Sequence, residues 1–100
     1  MKRVVITGMG VISPVGNSLK AFWDGLLAGV CGVGPITRFD TEGFKAKLAA
    51  EVKDFNPADF GMDVPTQRRM DKFTQYAVAA AKQAVEESGI VGTVEPERLG

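Results

Sequence analysis

The sequence predicts an α/β fold, and three local patterns carry that prediction. Residues 3–7 form a run rich in β-branched side chains, which favour strands. Two later stretches, 18–28 and 71–88, place apolar residues at the spacing of an amphipathic helix. A stretch broken by glycine and proline, 29–46, lies between them and is expected to be an extended loop.

The first predicted strand is apolar without interruption at Val4, Val5 and Ile6. Continuous apolarity, in place of alternation, predicts a strand that is covered on both faces. The segment 13–17, Ser-Pro-Val-Gly-Asn, is expected to be a turn.

The first helix is expected to begin after an N-cap at Asn17 or Ser18 and to end at Gly29 as the C′ residue. Gly25 inside it costs about 1 kcal/mol relative to alanine, so we expect close packing there. Its apolar face is predicted to contain Leu19, Phe22, Trp23, Leu26 and Leu27.

Residues 47–55 are predicted to form a short strand, with Leu48, Ala50 and Val52 on its apolar side. Asn56-Pro57 is expected to open a turn, with proline allowed in a first helical position. Pro65 is expected to open a short helix that ends near Met70.

Asp71 is then predicted to cap a longer helix that ends at Gly89 in a Schellman motif, with Ile90 at C″. The predicted apolar face of this helix is Phe73, Tyr76, Ala77, Ala80, Ala81 and Ala84. The aromatic residues Phe22, Trp23, Phe73 and Tyr76 are interpreted as core residues.

The composition excludes several classes of function. Twelve basic residues balance twelve acidic ones, which argues against a chain-wide nucleic-acid footprint or a polybasic membrane anchor. The N-terminal apolar run is too short for a signal peptide or a membrane span. One cysteine, Cys31, permits no intramolecular disulfide, so a reducing compartment, the cytoplasm, is expected. With no histidine, we expect no catalytic residue, no metal site and no cofactor in this chain.

The segment Thr7-Gly8-Met9-Gly10 follows a predicted strand, so a dinucleotide-binding loop is one alternative. That motif requires a third glycine opening directly into a helix, whereas this chain has Ser13 followed by Pro14. The favoured interpretation is that Gly8 and Gly10 permit close approach of the backbone within a crowded sheet.

The stretch from Arg3 to Asn17, Arg-Val-Val-Ile-Thr-Gly-Met-Gly-Val-Ile-Ser-Pro-Val-Gly-Asn, resembles the opening of the β-ketoacyl-[acyl-carrier-protein] synthases. The resemblance runs in order through essentially all 100 residues. It includes 22–23, 26–29, 32–33, 36, 39–40, the helix 75–89 and the lead-in 98–100. The segments 52–55 and 68–73 make the chain most similar to the synthase II branch.

The resemblance implies a thiolase-like fold, with layers in the order α-β-α-β-α, of which residues 1–100 form an N-terminal portion without an internal domain boundary. It implies an acyltransferase of fatty-acid biosynthesis that condenses malonyl-acyl carrier protein with an enzyme-bound acyl chain. The family's catalytic cysteine and two histidines lie in segments beyond residue 100, so Cys31 is not the nucleophile and is interpreted as a small, partly buried residue. A homodimer is implied for the complete protein.

Arg68, Arg69 and Lys72 form the densest positive cluster, with Arg68 and Lys72 one helical turn apart. From the residues alone, a solvated helical face is the ordinary interpretation. The resemblance implies that basic residues here help to dock the acidic acyl carrier protein. Pro65 stands where related enzymes can carry another basic residue, which weakens the cluster.

Two alternatives of the same fold stay open at this point. One is a non-catalytic chain-length factor, which keeps the scaffold without the cysteine, and the other is a polyketide synthase condensing domain. The sequence beyond residue 100 would separate the enzyme from the chain-length factor.

Overall fold

The structure, a computed structural model, describes residues 1–99 of the chain. These residues form two compact units. The first contains residues 1–11 together with 56–99, and the second contains residues 12–55. The chain therefore leaves the first unit after Val11 and returns to it at Asn56.

Helix α1, Leu19–Ala28, lies in the second unit and begins and ends where the sequence predicts. The Ser18 hydroxyl accepts a hydrogen bond from the Ala21 amide at 3.1 Å, and Gly29 adopts the left-handed conformation with φ of 74°. Gly25 is buried, and a Cβ there would lie 2.6 Å from Cγ1 of Val15. The expectation of close packing at Gly25 is confirmed.

The second unit also contains an antiparallel pair of short strands, β1 (Val33–Pro35) and β2 (Leu48–Ala50). β2 confirms the predicted strand over residues 48–50 only, because residues 51–55 form no strand. The predicted alternation is wrong, since Leu48 is exposed and Ala49 is the more covered residue. β1 corrects the expectation of a continuous loop over 29–46. Glycine and proline disfavour a strand locally, and backbone pairing to β2 overrides that preference at this exposed edge.

The first unit is helical after Asn56. A 3₁₀ helix, Pro57–Phe60, is followed by helix α2, Val64–Arg68, and helix α3, Lys72–Ser88. Proline lies in the first turn of both short helices, where its missing N–H has no helical partner to lose. Helices α2 and α3 agree with the predicted positions, and a 3₁₀ helix stands where a turn was expected at Asn56-Pro57.

Helix α3 ends at Gly89, whose φ is 62°, as predicted. The Gly89 amide donates to the Val85 carbonyl at 3.2 Å, which is the single bond of the αL motif. The Ile90 amide donates to the Ser88 hydroxyl at 3.2 Å and makes no Schellman bond to Val85. The predicted Schellman ending is therefore wrong in its second bond, because a local serine side chain satisfies that amide.

The covered face of α3 differs from the predicted one. Gln75 and Ala79 are its buried residues, with 6% and 0% exposure. Phe73 is 73% exposed and Ala77 and Ala81 are exposed, so half of the predicted apolar face is wrong. Trp23 of α1 is 59% exposed, so the interpretation as core fails for Trp23 and Phe73 and holds only in part for half-buried Phe22 and Tyr76.

Residues 3–7 do not form a strand in the described structure. Val4 is 95% exposed and Ile6 is 81% exposed, which contradicts the prediction of a strand covered on both faces. A strand requires a neighbour for its backbone hydrogen bonds, and within residues 1–99 the only paired strands are β1 and β2.

Few residues of the described chain are buried. Met62 and Ala79 are the buried apolar residues, and no large side chain in residues 1–99 is fully buried. In the part of the chain that the structure describes, no helix has the length and apolarity to cross a membrane. A last 3₁₀ helix covers Pro96–Arg98, and the predicted lead-in to a strand at Gly100 lies outside the described residues.

Candidate functional site

The basic cluster of Arg68, Arg69 and Lys72 lies at the junction of two helices. Arg68 is the last residue of α2, Arg69 is its C-cap and Lys72 is the first residue of α3. This corrects the expectation that Arg68 and Lys72 share one helical face, because the chain turns between them. Arg68 and Lys72 instead lie on either side of the α2–α3 turn, residues 69–71, and Arg69 lies within that turn.

All three cationic side chains are exposed. Within residues 1–99, none of them lies within salt-bridge distance of a carboxylate. Asp71 sits between them as the N-cap of α3, but its side chain makes no capping hydrogen bond. Three solvated positive charges and one negative charge therefore meet at a single turn, which gives this surface a local net charge of about +2 at neutral pH.

The turn is fixed from its N-terminal side by Asp63, which caps α2. The Thr66 amide donates to Oδ1 of Asp63 at 2.9 Å. Hydrogen bonds from the side chain and then the backbone of Thr66 lower the pKa of Asp63. The cap favours the ionised carboxylate of Asp63 and sets the start of α2, and Arg68 and Arg69 lie at the end of that helix.

The turn is fixed from its C-terminal side by Gln75, which is buried in α3. Nε2 of Gln75 donates to the carbonyl of Gln67 at 3.2 Å and to the carbonyl of Met70 at 3.3 Å. Nε2 of Gln67 donates in turn to the Met62 carbonyl at 2.8 Å. The buried Gln75 amide thus binds the end of α2 to the start of α3 and fixes the backbone of the turn that carries the basic cluster.

Sequence reasoning missed Gln75, although one signal for it exists. It is a polar residue in line with Ala79 and Gln83 at a spacing of four, within a helix otherwise rich in alanine. A polar side chain on a covered face is expected to satisfy a backbone group. Gln83 does so as well, since its Oε1 accepts from the Val11 amide at 3.1 Å and its Nε2 donates to the Val11 carbonyl at 3.2 Å.

The glycines that follow residue 7 pack directly on α3. A Cβ on Gly8 would meet the Ala84 carbonyl and lie 2.7 Å from the Ser88 amide, and one on Gly10 would meet the Ala80 carbonyl. The predicted close backbone approach is confirmed, but the partner is a helix where a sheet was expected. The glycines therefore have a packing role in this unit.

Cys31 is exposed, which corrects the expectation of a partly buried residue. Its Sγ lies 3.7 Å from the Val33 carbonyl oxygen. Among the described residues, this carbonyl is the hydrogen-bond partner of the thiol.

These features define an α/β scaffold that bears an exposed basic turn. Over residues 1–100 the chain matches the profile of the family described as "Beta-ketoacyl synthase, N-terminal domain". The chain belongs to the β-ketoacyl synthase family, which is thiolase-like. The predicted fold class and family are confirmed.

Three similar proteins are each named 3-oxoacyl-[acyl-carrier-protein] synthase 2. A 3-oxoacyl-[acyl-carrier-protein] synthase 2 of Coxiella burnetii is 52% identical over 99% of this chain and 24% of its own length. The Staphylococcus aureus protein of that name is 53% identical over the same shares, and the one from Synechocystis is 46% identical over 90% of this chain and 21% of its own.

One similar solved structure is that of "The ishigamide ketosynthase/chain length factor". It has a TM-score of 0.80 and 44% sequence identity, and the match covers 99% of this chain and 23% of that one. The chain spans about a quarter of the length of the relatives that it matches.

Proposed function

We propose that the complete protein is a 3-oxoacyl-[acyl-carrier-protein] synthase of the synthase II type. It would transfer an acyl chain to an active-site cysteine and condense it with malonyl-acyl carrier protein, with loss of carbon dioxide. The observation that carries this proposal is the match over the whole chain to relatives named 3-oxoacyl-[acyl-carrier-protein] synthase 2, at about 52% identity. We place the catalytic residues outside residues 1–100, because this stretch has no histidine.

The test of this activity is a condensation assay on the complete protein with acyl and malonyl carrier proteins. We expect 3-oxoacyl carrier protein and one carbon dioxide per turnover. Failure to form either product, with the protein folded, would favour the chain-length factor as the second candidate. That candidate draws support from the similar solved structure, whose name includes both a ketosynthase and a chain-length factor.

We propose further that Arg68, Arg69 and Lys72 bind the acyl carrier protein. The support is that the three charges are exposed, lie within salt-bridge distance of no carboxylate of the described chain, and stand at one turn whose backbone the buried Gln75 side chain fixes. Guanidinium groups bind carboxylates and phosphates through two parallel hydrogen bonds, which suits an acidic, phosphate-bearing partner.

The test of docking is the double substitution R68E/R69E in the complete protein. Losing one exposed ion pair costs about 0.2–1 kcal/mol, and like-charge contacts across an interface cost several kcal/mol. We expect a raised KM for carrier-bound substrates and an unchanged rate of acylation by a small carrier-free thioester. The melting temperature should stay close to that of the wild type.

The control is K45E/K47E, which reverses two exposed lysines in the other unit, between β1 and β2. It changes the net charge by the same amount, so it should leave the KM for carrier-bound substrates unchanged. If R68E/R69E lost the same fraction of activity with carrier-bound and carrier-free substrates, the cluster would be an ordinary solvated surface with no role in docking.

We also propose a cytoplasmic homodimer whose two described units belong to one domain. The single cysteine supports a reducing compartment, the family resemblance supports the dimer, and the return of the chain to its first unit supports one domain. Sedimentation equilibrium of the complete protein tests the dimer.

A further inference from the structure

The segment Val52–Phe55 is one of the two that make the chain most similar to the synthase II branch, but it has no part in the proposed docking site. Its second residue, Lys53, follows β2 in the second unit. The Lys53 ammonium donates to the carbonyl of Glu51 at 2.9 Å, to that of Gly32 at 3.0 Å and to that of Pro14 at 3.5 Å. One side chain thus connects the end of β2 with two separate loops.

The backbone of Lys53 makes a fourth connection. Nδ2 of Asn17 donates to the Lys53 carbonyl at 2.6 Å. The loop that carries Asn17 and Pro14 is itself compact, because the Ser13 hydroxyl accepts from the Gly16 amide at 3.1 Å and donates to the Gly16 carbonyl at 3.0 Å. The loop 13–17 is therefore expected to move as one body, attached to β2 through Lys53.

The chemistry of this contact depends on the charge. An ammonium has three N–H donors, and here three carbonyl oxygens receive them. A neutral amine has two donors and an N-acylated lysine has one, so neither can bind all three carbonyls. Charge-assisted hydrogen bonds are also about twice as strong as neutral ones.

The next residue and a neighbouring cavity belong to the same region. Asp54 is the only residue other than glycine with positive φ in the described chain, at 56°, and aspartate is one of the residue types that adopt this conformation. Lys53, Asp54 and Asn17 line a cavity of about 370 Å³ within the same unit. The space between the loops and the end of β2 is therefore not filled by side chains.

We propose that Lys53 is a charge-dependent latch. Its ammonium holds the loops 13–17 and 30–32 closed on the end of β2, and neutralising Nζ releases both loops. Cys31 is an exposed residue of the second of these loops.

Hydrogen exchange of the complete protein tests the latch with two substitutions. K53M keeps an unbranched side chain of about the length of the lysine stem but removes the charge and the donors, and K53R keeps the charge. We expect exchange at 13–17 and 30–32 to be at least tenfold faster in K53M and within about threefold of the wild type in K53R, since charge-assisted bonds are the stronger ones. K47M changes an exposed lysine just before β2 and should exchange like the wild type.

Wild-type exchange rates in K53M would overturn the proposal, as would equal acceleration in K53M and K53R. A measurement on the wild type keeps the proposal testable if K53M does not fold. An amine-reactive acetyl ester should modify Lys53 several-fold more slowly than Lys47, because the Lys53 nitrogen is engaged by three carbonyls. Equal rates at the two lysines would show that the latch is not closed.

Discussion

At the scale of single residues, Gly8 and Gly10 show how the absence of a side chain sets the distance between two segments. Both lie against backbone atoms of α3, the carbonyls of Ala84 and Ala80. Backbone atoms of a helix cannot rotate away as a flexible side chain can. A side chain at either position must therefore push residues 8–11 off the helix.

We expect Gly10→Val to destabilise the complete protein by about 1–3 kcal/mol or to prevent its folding, as overpacked sites do. The reason is the contact of its Cβ with the Ala80 carbonyl. Gly34→Ala is the matched control, because a Cβ on Gly34 meets nothing within 4 Å. Thermal unfolding of both variants provides the measurement, and equal melting temperatures would contradict the packing role.

Glu51 provides a prediction about pH. The hydroxyl of Thr37 donates to Oε1 of Glu51 at 2.9 Å, and this bond is the main cause of the lowered pKa of Glu51. The Thr37 amide and Arg38 lower the pKa further. The folded state thus favours the ionised carboxylate. Its contribution to stability is present above the unfolded-state pKa and is lost as the pH falls through the lowered pKa.

Thr37→Val should therefore destabilise the complete protein most at neutral pH, and its difference from the wild type should shrink as the pH falls below the ordinary pKa of a glutamate. Denaturant midpoints measured from pH 7 down to pH 3 would follow this trend. Thr41→Val, in the same loop, is the control. A Thr37→Val effect that is constant over this range would show that Glu51 is not the partner responsible.

At the scale of elements, α3 has one covered face and one exposed face. One face carries buried Gln75 and Ala79 together with Gln83, and these glutamines bind backbone groups of neighbouring segments. The other face exposes Phe73, 73% accessible, along with Ala77. The helix therefore acts as the support for both the glycine segment and the basic turn.

Gln75→Leu should loosen the α2–α3 turn. The Met70 carbonyl would lose its Gln75 donor, while the Gln67 carbonyl would keep the Met70 amide at 3.3 Å. An unsatisfied polar group costs about 1–3 kcal/mol when buried, and removal of Gln75 Oε1, which is buried without a partner in the described chain, offsets part of that cost. We expect a lower melting temperature and a raised KM for carrier-bound substrates. Glu87→Gln, on an exposed position of the same helix, should change neither. A normal KM for carrier-bound substrates in a destabilised Gln75→Leu protein would show that docking does not depend on the α2–α3 turn.

At the scale of the whole molecule, the described chain leaves much apolar surface in contact with water. Val4, Ile6 and Trp23 are all more than half exposed, and the buried apolar residues are Met62 and Ala79. Burial of apolar surface is the main favourable contribution to folding. A chain with so little of it has little to offset the loss of conformational entropy.

We expect residues 1–100, produced alone, to unfold without a sharp cooperative transition, to bind a hydrophobic dye and to form no 3-oxoacyl product. Calorimetry, dye fluorescence and the condensation assay are the three measurements. A monomeric fragment with a sharp melt at neutral pH would contradict the first expectation, and product formation would contradict the last.

The sequence by itself determined the features that depend on local chemistry. Ser18 and Gly29 bound α1, and Gly89 ends α3, because capping groups and left-handed glycine act within one turn of a helix. The family is also evident from the order of short motifs along the chain. The sequence also identifies the residues of the basic cluster, but it does not show that a turn separates Arg68 from Lys72.

Only the tertiary structure decided which surfaces are covered. Residues 3–7 have the composition of a buried strand, but pairing depends on neighbours that no local pattern specifies. The turn that separates Arg68 from Lys72, and the role of Gln75 in holding it, follow from contacts between helices. From the sequence alone, Lys53 cannot be told from any other surface lysine. Its three carbonyl partners belong to Pro14, Gly32 and Glu51, which only folding brings together.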